Sequence, residues 1–460
     1  MPVLFNRYYS ARNLSFFFGE GGLIFLSLML VHWFFKGSAI FSIDLFDCGR
    51  QALVVTIIFQ LCLYFFDLYD LNSSISMPET VTCITQAFGC GCVVLAIVYY
   101  LIPDLLISSR VFWTGYLVIC LVIFLWRSFY HYVLRKRLFV QAVVVVGTGT
   151  LACDIAREVE GRRDSVYKIV AFVGGGKPKY NPNNAPVYSQ LEDMGSAVSL
   201  QNIERIIVAP DDRRGSTPVQ TLLQCKLRGI IIDHGVSFYE RITGRILVER
   251  LAPSWIIFSE GFGLSRFKQS LKRVAAIGLS SVLLVLTLPL MLLSAIIIKL
   301  ESPGPIFYRQ ERVGQHGTSF RLIKLRSMCR DAEKNGAVWA SVKDERVTRF
   351  GGIIRKFRID ELPQLWNVFK GEMSFVGPRP ERPVFVEQLI KVLPYYGIRH
   401  VIKPGITGWA QICYPYGASQ EDALKKLEYD LYYLKHLYIA LDFVIVLKTI
   451  KAVLCQRGAR

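Results

Sequence analysis

Hydrophobic positions fall into three regimes along the chain. Four long apolar runs come first, roughly Phe16–Phe35, Ala52–Phe66, Val81–Ile102 and Val111–Tyr132. Each approaches the length that crosses a hydrocarbon core, with Ala52–Phe66 short enough to borrow flanking residues. The pattern then changes to short β-rich stretches: Ala142–Val146, Ile169–Val173, Arg205–Val208 and Gly229–Ile232. A helical stretch to about Glu160 follows the first of them, and strands alternating with helices predict a parallel sheet. The Gly/Pro/Asn-rich piece Gly174–Pro186 reads as a loop.

A fifth apolar run, Val274–Ile298, carries no charge but holds Pro289 near its middle, with Lys272 and Arg273 before it and Lys299 after it. A straight span and a segment that enters the membrane and turns back both satisfy this pattern, since proline favours a break but is tolerated in spanning helices. From Glu301 onward the chain is polar and basic until Tyr438–Leu454, an apolar stretch interrupted by Asp442, Lys448 and Lys451. That stretch reads as an amphipathic helix on a membrane surface, with core packing as the alternative.

Basic residues place the ends. Arg7 and Arg12 precede the first run and Arg135, Lys136 and Arg137 follow the fourth, so an even number of spans puts both ends in the cytoplasm. The connection from Asp67 to Asp70 is acidic and adds nothing to this assignment. The first run ends in Phe-Phe-Lys rather than in a small-residue cleavage site, so no cleavable signal peptide is expected.

Composition narrows the partners. The apolar fraction is 52% and the formal charge +18. Such a basic balance suits nucleic acid, an anionic membrane surface or phosphate-rich substrates, and the apolar runs favour the last two over nucleic acid. The eleven cysteines are scattered; Cys62, Cys83 and Cys120 sit inside apolar runs. The close pair Cys90 and Cys92 has no second pair or histidine cluster to complete a metal site, and all are read as reduced, buried thiols.

Two places can carry chemistry. Gly147-x-Gly149-x-x-Ala152 follows a strand and opens a helix, the setting of a dinucleotide fingerprint. The second strand, however, ends in Gly174, Gly175 and Gly176 where an acidic residue would grip a ribose. The expectation is therefore a Rossmann-like module that regulates, assembles or binds another nucleotide.

The second place is the block from Arg355 to Pro380. Leu362–Phe369 reads as a helix with Pro363 in its first turn, which puts Asp360 and Glu361 at or near its start. A helix start favours ionised carboxylates and attracts phosphate oxygens. An arbitrary Asp-Glu pair is most simply a helix cap. Here Arg355, Lys356 and Arg358 lie just upstream, Arg379 follows between two prolines, and Lys324 and Arg326 stand further up. Such cations suit a diphosphate whose leaving group gathers charge. A carboxylate attacking phosphorus also needs its repulsion cancelled, and Mg²⁺ does this through oxygen ligands.

This block resembles the signature of the bacterial polyprenyl-phosphate sugar-1-phosphate transferases, the monotopic phosphoglycosyl transferases. Four further stretches are similar to that family: Ser302–Gly314, Lys324–Met328, Arg346–Gly351 and Lys403–Gln411. The resemblance covers about Phe267 to Leu454, and the four-span start with its middle module looks like the long-form members that initiate exopolysaccharide or O-antigen assembly. Glu381-Arg382-Pro383 resembles a subgroup associated with exopolysaccharide export. One departure is Phe357-Arg358-Ile359, where many members have Thr-Ser-Leu.

The resemblance implies a membrane α/β protein: a four-helix transmembrane bundle over 1–138, a Rossmann-like parallel α/β module over 139–262, and an α/β catalytic domain over 263–460 with a re-entrant helix at 274–298, broken at Pro289. It implies ping-pong transfer in which Asp360, assisted by Glu361 and touching Mg²⁺, attacks the sugar-bearing phosphate of a UDP-sugar, releases UMP, and passes the phosphosugar to undecaprenyl phosphate. By position in the motifs, Lys324, Arg326, Arg355 and Arg379 would hold phosphates, and Arg309, Arg312 and Lys403 would contribute to the site. It further implies an inner-membrane protein in contact with lipid, with its catalytic domain on the cytoplasmic face, and a homodimer.

Two other classes compete. A membrane-anchored nucleotide-sugar dehydratase or epimerase would need a Tyr-x-x-x-Lys pair downstream of the glycines, whereas Tyr132 and Lys136 stand upstream at the membrane edge. A catalytically dead scaffold would have no reason to keep Asp360, Glu361, Lys324 and Arg379 together.

Overall fold

A computed structural model describes residues 11–37, 45–69, 77–136, 140–162, 165–193, 203–210, 218–251, 261–262, 266–329, 346–415, 417 and 419–454. Arg7, Asp70 and Arg137 lie outside the described residues, as does the side chain of Arg12. The chain divides into two compact units, Met1–Phe238 and Tyr239–Arg460.

The first unit begins with four helices, α1 (Ala11–Lys36), α2 (Leu45–Phe65), α3 (Met77–Leu101) and α4 (Ser109–Arg135), each centred on one of the predicted runs. Ile24, Leu28, Ala52, Phe59, Phe88 and Ile119 form part of a shared core between them. Leu26, Leu30, Leu117 and Leu121 face outward, as expected for helices whose surroundings are lipid. Among the described residues, five helices are long and apolar enough to cross a membrane, these four and the fifth run, which marks the chain as membrane-associated. Glu20 on α1 is buried against Arg127 on α4, with Nε and Oε1 2.8 Å apart. Arg127 also donates to the Leu68 carbonyl at 2.7 Å, so this buried acid is paired rather than abandoned. The described cysteines are free thiols, but not all are buried: Cys90 and Cys329 are exposed.

A five-stranded parallel sheet follows, built from β1 (Gln141–Val146), β2 (Tyr167–Val173), β3 (Val187–Tyr188), β4 (Arg205–Val208) and β5 (Ile231–His234) in the order β3-β2-β1-β4-β5. β5 lies two residues later than the Gly229–Ile232 expectation, and β3 falls in a stretch with no apolar run. The order is that of five of the six strands of a Rossmann-like sheet. Helix α5 (Thr150–Glu160) starts beside Gly147, and α6 (Val219–Leu227) precedes β5. A Cβ at Gly147 would lie 2.1 Å from the Ala209 carbonyl oxygen, and the residue has φ +128°. Strand-to-strand crowding thus accounts for this glycine without any ligand.

The second unit opens with the end of helix α7 (Gly235–Thr243) and residues 244–251; Ile246 and Val248 are buried in its main core with Trp409, Leu427 and Tyr432. Next comes α8 (Arg266–Glu301), one helix with Pro289 inside it. The expected break at Pro289 is therefore not a loop; proline removes one hydrogen bond and permits a bend without ending the helix. An antiparallel hairpin, β6 (Phe307–Val313) and β7 (Ser319–Leu325), leads to α9 (Arg349–Lys356) and α10 (Gln364–Lys370). The short strands β8 (Ser374–Val376) and β9 (Gly405–Thr407) pair in parallel. Helices α11 (Pro383–Val392), α12 (Trp409–Cys413), α13 (Gln420–Lys435) and α14 (Ile439–Leu454) complete the unit.

Helix α14 is apolar on two opposite faces, one of them packed in the core. Leu441 and Ile445 are buried in the core, while Ile439, Phe443, Ile450 and Leu454 form an exposed apolar stripe. Its register is pinned by Asp442, which pairs with Lys272 at 2.8 Å, and by Thr449 on Thr407 at 2.6 Å.

Candidate active site

Helix α9 ends at Lys356, and Arg358 adopts the left-handed region at φ +54°, which reverses the chain. Non-glycine residues enter that region at a cost and often at functional turns. Ile359–Glu361 then forms a single 3₁₀ turn, and Pro363 caps α10. Asp360 and Glu361 thus sit in the turn that leads into α10, near its start as the sequence suggests.

Asn367, fully buried on α10, joins this turn to the hairpin. Its amide donates to the Arg321 carbonyl at 2.8 Å and accepts from Ile323 N–H at 3.2 Å. A buried amide satisfied on both sides fixes register. The next inward-facing position on β7 is Lys324, and its Nζ lies 2.7 Å from Glu361 Oε1. Arg379 lies 3.7 Å from the same oxygen, and Arg358 lies 3.9 Å from Oε2. The cation introduced by the Phe-Arg-Ile departure therefore belongs to this cluster. Arg355 reaches Ser327, with Nε donating to Oγ at 2.9 Å.

The two acids are pushed apart. Burial raises the Asp360 carboxyl to about 6; Lys324 opposes this and the Glu361 charge adds to it. Glu361 is held down at about 2: burial would raise it, but Lys324 and Arg379 outweigh that effect. Adjacent acids held at different protonation points have different capacities. Glu361 is a permanent anion that organises cations. Asp360, buried beside them, changes charge near neutrality.

Other expected site residues are distributed less tightly. Arg326 is buried, and its guanidinium is taken up by the end of α8, donating to the Ser302 carbonyl at 2.7 Å, the Pro303 carbonyl at 3.2 Å and the Ile298 carbonyl at 3.3 Å. Arg309 pairs with Ile323 across the hairpin and is exposed, whereas Tyr308 pairs with Lys324. Alternation along the strand therefore points Arg309 away from the Lys324 face. Arg312 shares the Lys324 face; it donates to the Pro380 carbonyl at 3.1 Å and to Gln310. Burial lowers the Lys403 pKa, helped by the nearby Arg273 charge. Asp360, Glu361, Lys324, Arg379 and Arg358 are thus brought together, with Arg355 beside them.

Glycines bring the last two motifs into contact. A Cβ on Gly405 would lie 2.1 Å from Gly377 N, and one on Gly408 2.2 Å from Gly377 O. Only glycine allows the Gly377-Pro-Arg379 and Gly405–Gly408 backbones to cross this closely. Sequence reasoning missed Asn367, Arg399 and Asp430; Asn367 lay inside the noted block but has no signal apart from its burial. Among the described residues no group of three or more His, Cys, Asp or Glu side chains is gathered as a metal cage.

Residues 267–456 match the bacterial sugar transferase family. The chain is 44% identical over 249 residues to a UDP-N-acetylgalactosamine-undecaprenyl-phosphate N-acetylgalactosaminephosphotransferase of Aeromonas hydrophila, covering 52% of this chain and 56% of that protein. It is 31% identical over 350 residues to an undecaprenyl-phosphate glucose phosphotransferase of Komagataeibacter xylinus, covering 74% and 64%. A UDP-glucose:undecaprenyl-phosphate glucose-1-phosphate transferase of Caulobacter vibrioides is 41% identical over 191 residues, 41% of this chain and 71% of the relative. The chain thus spans little more than half of the Aeromonas relative and most of the Caulobacter one. With the acid pair, its cations and the crossed glycine motifs all inside the matched stretch, the chain belongs to the bacterial sugar transferase family.

Proposed function

We propose that the chain transfers a sugar-1-phosphate from a UDP-sugar to undecaprenyl phosphate, releasing UMP. The carrying observation is the division between Asp360, raised toward neutrality, and Glu361, which gathers Lys324, Arg379 and Arg358. A carboxylate oxygen of Asp360 attacks the sugar-bearing phosphorus, and the bond from that phosphorus to the bridging oxygen breaks, with its electron pair leaving on UMP. An oxygen of the polyprenyl phosphate then attacks the same phosphorus and displaces Asp360, giving the polyprenyl diphosphate sugar. Lys324 and Arg379 hold the phosphate oxygens as charge moves to the leaving group. Relatives named for N-acetylgalactosamine and for glucose both occur, so the test is a panel of UDP-sugars assayed for UMP release with undecaprenyl phosphate. No UMP from any donor would overturn the assignment.

Asp360 offers one carboxylate, which fits Mg²⁺ shared with a diphosphate better than an all-protein cage. When bound there, the ion neutralises donor charge next to the nucleophile.

The re-entrant reading of α8 is supported by what holds its two ends. Ala276 shares an apolar cluster with Leu322 and Val368, and Arg273 donates to the Val368 and Phe369 carbonyls at 2.7 Å each. Ile298 shares one with Leu325 and Ile354. Leu322 and Leu325 are roughly 10 Å apart on one strand, whereas Ala276 and Ile298 would be about 33 Å apart on a straight helix. A bend at Pro289 reconciles the two. On this reading both flanks lie on one face of the bacterial inner membrane, the cytoplasmic face for a chain that uses UDP-sugars. The Rossmann-like module is assigned to assembly of a homodimer or to regulation; cross-linking in native membranes would test the dimer.

A further inference from the structure

Arg379 is half-exposed and long, so its aim depends on its backbone. Every carbonyl from Pro378 to Glu381 is held, two of them by neighbouring residues of β6 and the other two from separate segments of the second unit. Pro378 O accepts from Gly405 N–H at 2.9 Å and Glu381 O from Val313 N–H at 2.9 Å. Between them, Pro380 O accepts from Arg312 at 3.1 Å and Arg379 O from Arg399 Nη2 at 3.1 Å. Pro378 and Pro380 fix their own φ on either side of Arg379.

Arg399 is an unusual element of this clamp because it lies in the core. Its relative exposure is 5%, that of Asp430 1% and that of Tyr396 3%. It pairs with Asp430 at 2.8 Å and donates to the Tyr396 hydroxyl at 2.6 Å. A buried ion pair adds little net stability compared with apolar residues of the same size, so its presence asks for another reason. Neither partner touches Asp360 or Glu361. What the pair reaches is the carbonyl of the residue that does approach Glu361.

We infer that Arg399, braced by Asp430 and accompanied by Arg312, is a positioning residue that aims the Arg379 guanidinium at the acid pair and the donor phosphate. This rests on the transfer reaction proposed above. Arg312 accordingly serves the site through the Pro380 carbonyl.

Arg399→Ala alone would strand a buried Asp430 and endanger folding, so the informative variant is Arg399→Met with Asp430→Leu, which removes both charges at similar volume. The full-length protein is expected to keep a melting temperature near that of the native chain, to lose about 10- to 100-fold in kcat/KM for UMP release, and to show faster hydrogen–deuterium exchange in peptides spanning 377–381. In an Arg379→Ala background the same pair should add less than about twofold, because the group being aimed is gone. Full activity in the folded double variant, an additive loss in the Arg379→Ala background, or unchanged exchange at 377–381 would each overturn the inference. If the native protein releases no UMP while the exchange difference stands, the clamp is upheld and the transfer reaction falls.

Discussion

The Lys324 ammonium lies 2.7 Å from Glu361 while Asp360, the preceding residue, is buried at its side. Burial lifts the Asp360 carboxyl, with the Glu361 charge adding to it, while Lys324 and Arg379 hold Glu361 ionised. Glu361 spends its charge on cations. Asp360 is left with a carboxyl raised to about 6.

Asp360→Asn is expected to abolish turnover, a loss of at least about 10³-fold, while UDP binding persists because Lys324 and Arg379 remain. UMP release and calorimetric titration with UDP measure the two separately. Wild-type turnover in the variant would remove Asp360 from the chemistry.

The pH profile follows from the same pair. Asp360 must be ionised to attack, and its carboxyl is raised to about 6, so kcat/KM should climb as pH rises through about 6 and then level off. The Glu361 charge is one of the causes that raise Asp360. Glu361→Gln should therefore move that acid limb to lower pH, whatever it does to the maximal rate. A limb that stays put, or moves up, would contradict the coupling.

Excess chelator should stop UMP release and added Mg²⁺ should restore it. Continued turnover in excess chelator would exclude the ion from the proposed site.

Cysteines placed at Phe267 and Leu300, both strongly exposed at the flanks of α8, test the re-entrant reading. In a background stripped of native cysteines, both should react with a membrane-impermeant maleimide only from the cytoplasmic side. Labelling from opposite sides would make α8 a straight span.

Gly405→Ala should destabilise the second unit by about 3 kcal/mol, since its Cβ would be 2.1 Å from Gly377 N. Thermal unfolding in detergent reads this directly, and an unchanged midpoint would mean that the crossing can relax.

Much of this organisation was legible in the residues. Long apolar runs and β-rich stretches located the long apolar helices and the parallel sheet because their pattern is set by burial, which the sequence records. The acid pair, Lys324 and Arg379 were legible because their motifs are dense. Arg326 and Arg309 were harder: a cation's type says nothing about whether it meets phosphate, a helix end or open solvent. Strand alternation settles Arg309, and the carbonyls at the end of α8 settle the contacts of Arg326. Asn367 and the Arg399–Asp430 pair could not be read at all, because their partners are distant in sequence and their meaning lies in burial.

The stretch before the sugar-transferase match has a practical bearing on how this protein is cut. Ile246 and Val248 are core residues of the second unit, and the Trp409 indole donates to the Gly244 carbonyl at 2.8 Å. A fragment begun at Phe267 would leave a greasy trough and an orphaned indole N–H where those residues belong. Fragments meant for crystallisation or display should start upstream of Tyr239, so that this native plug travels with its socket.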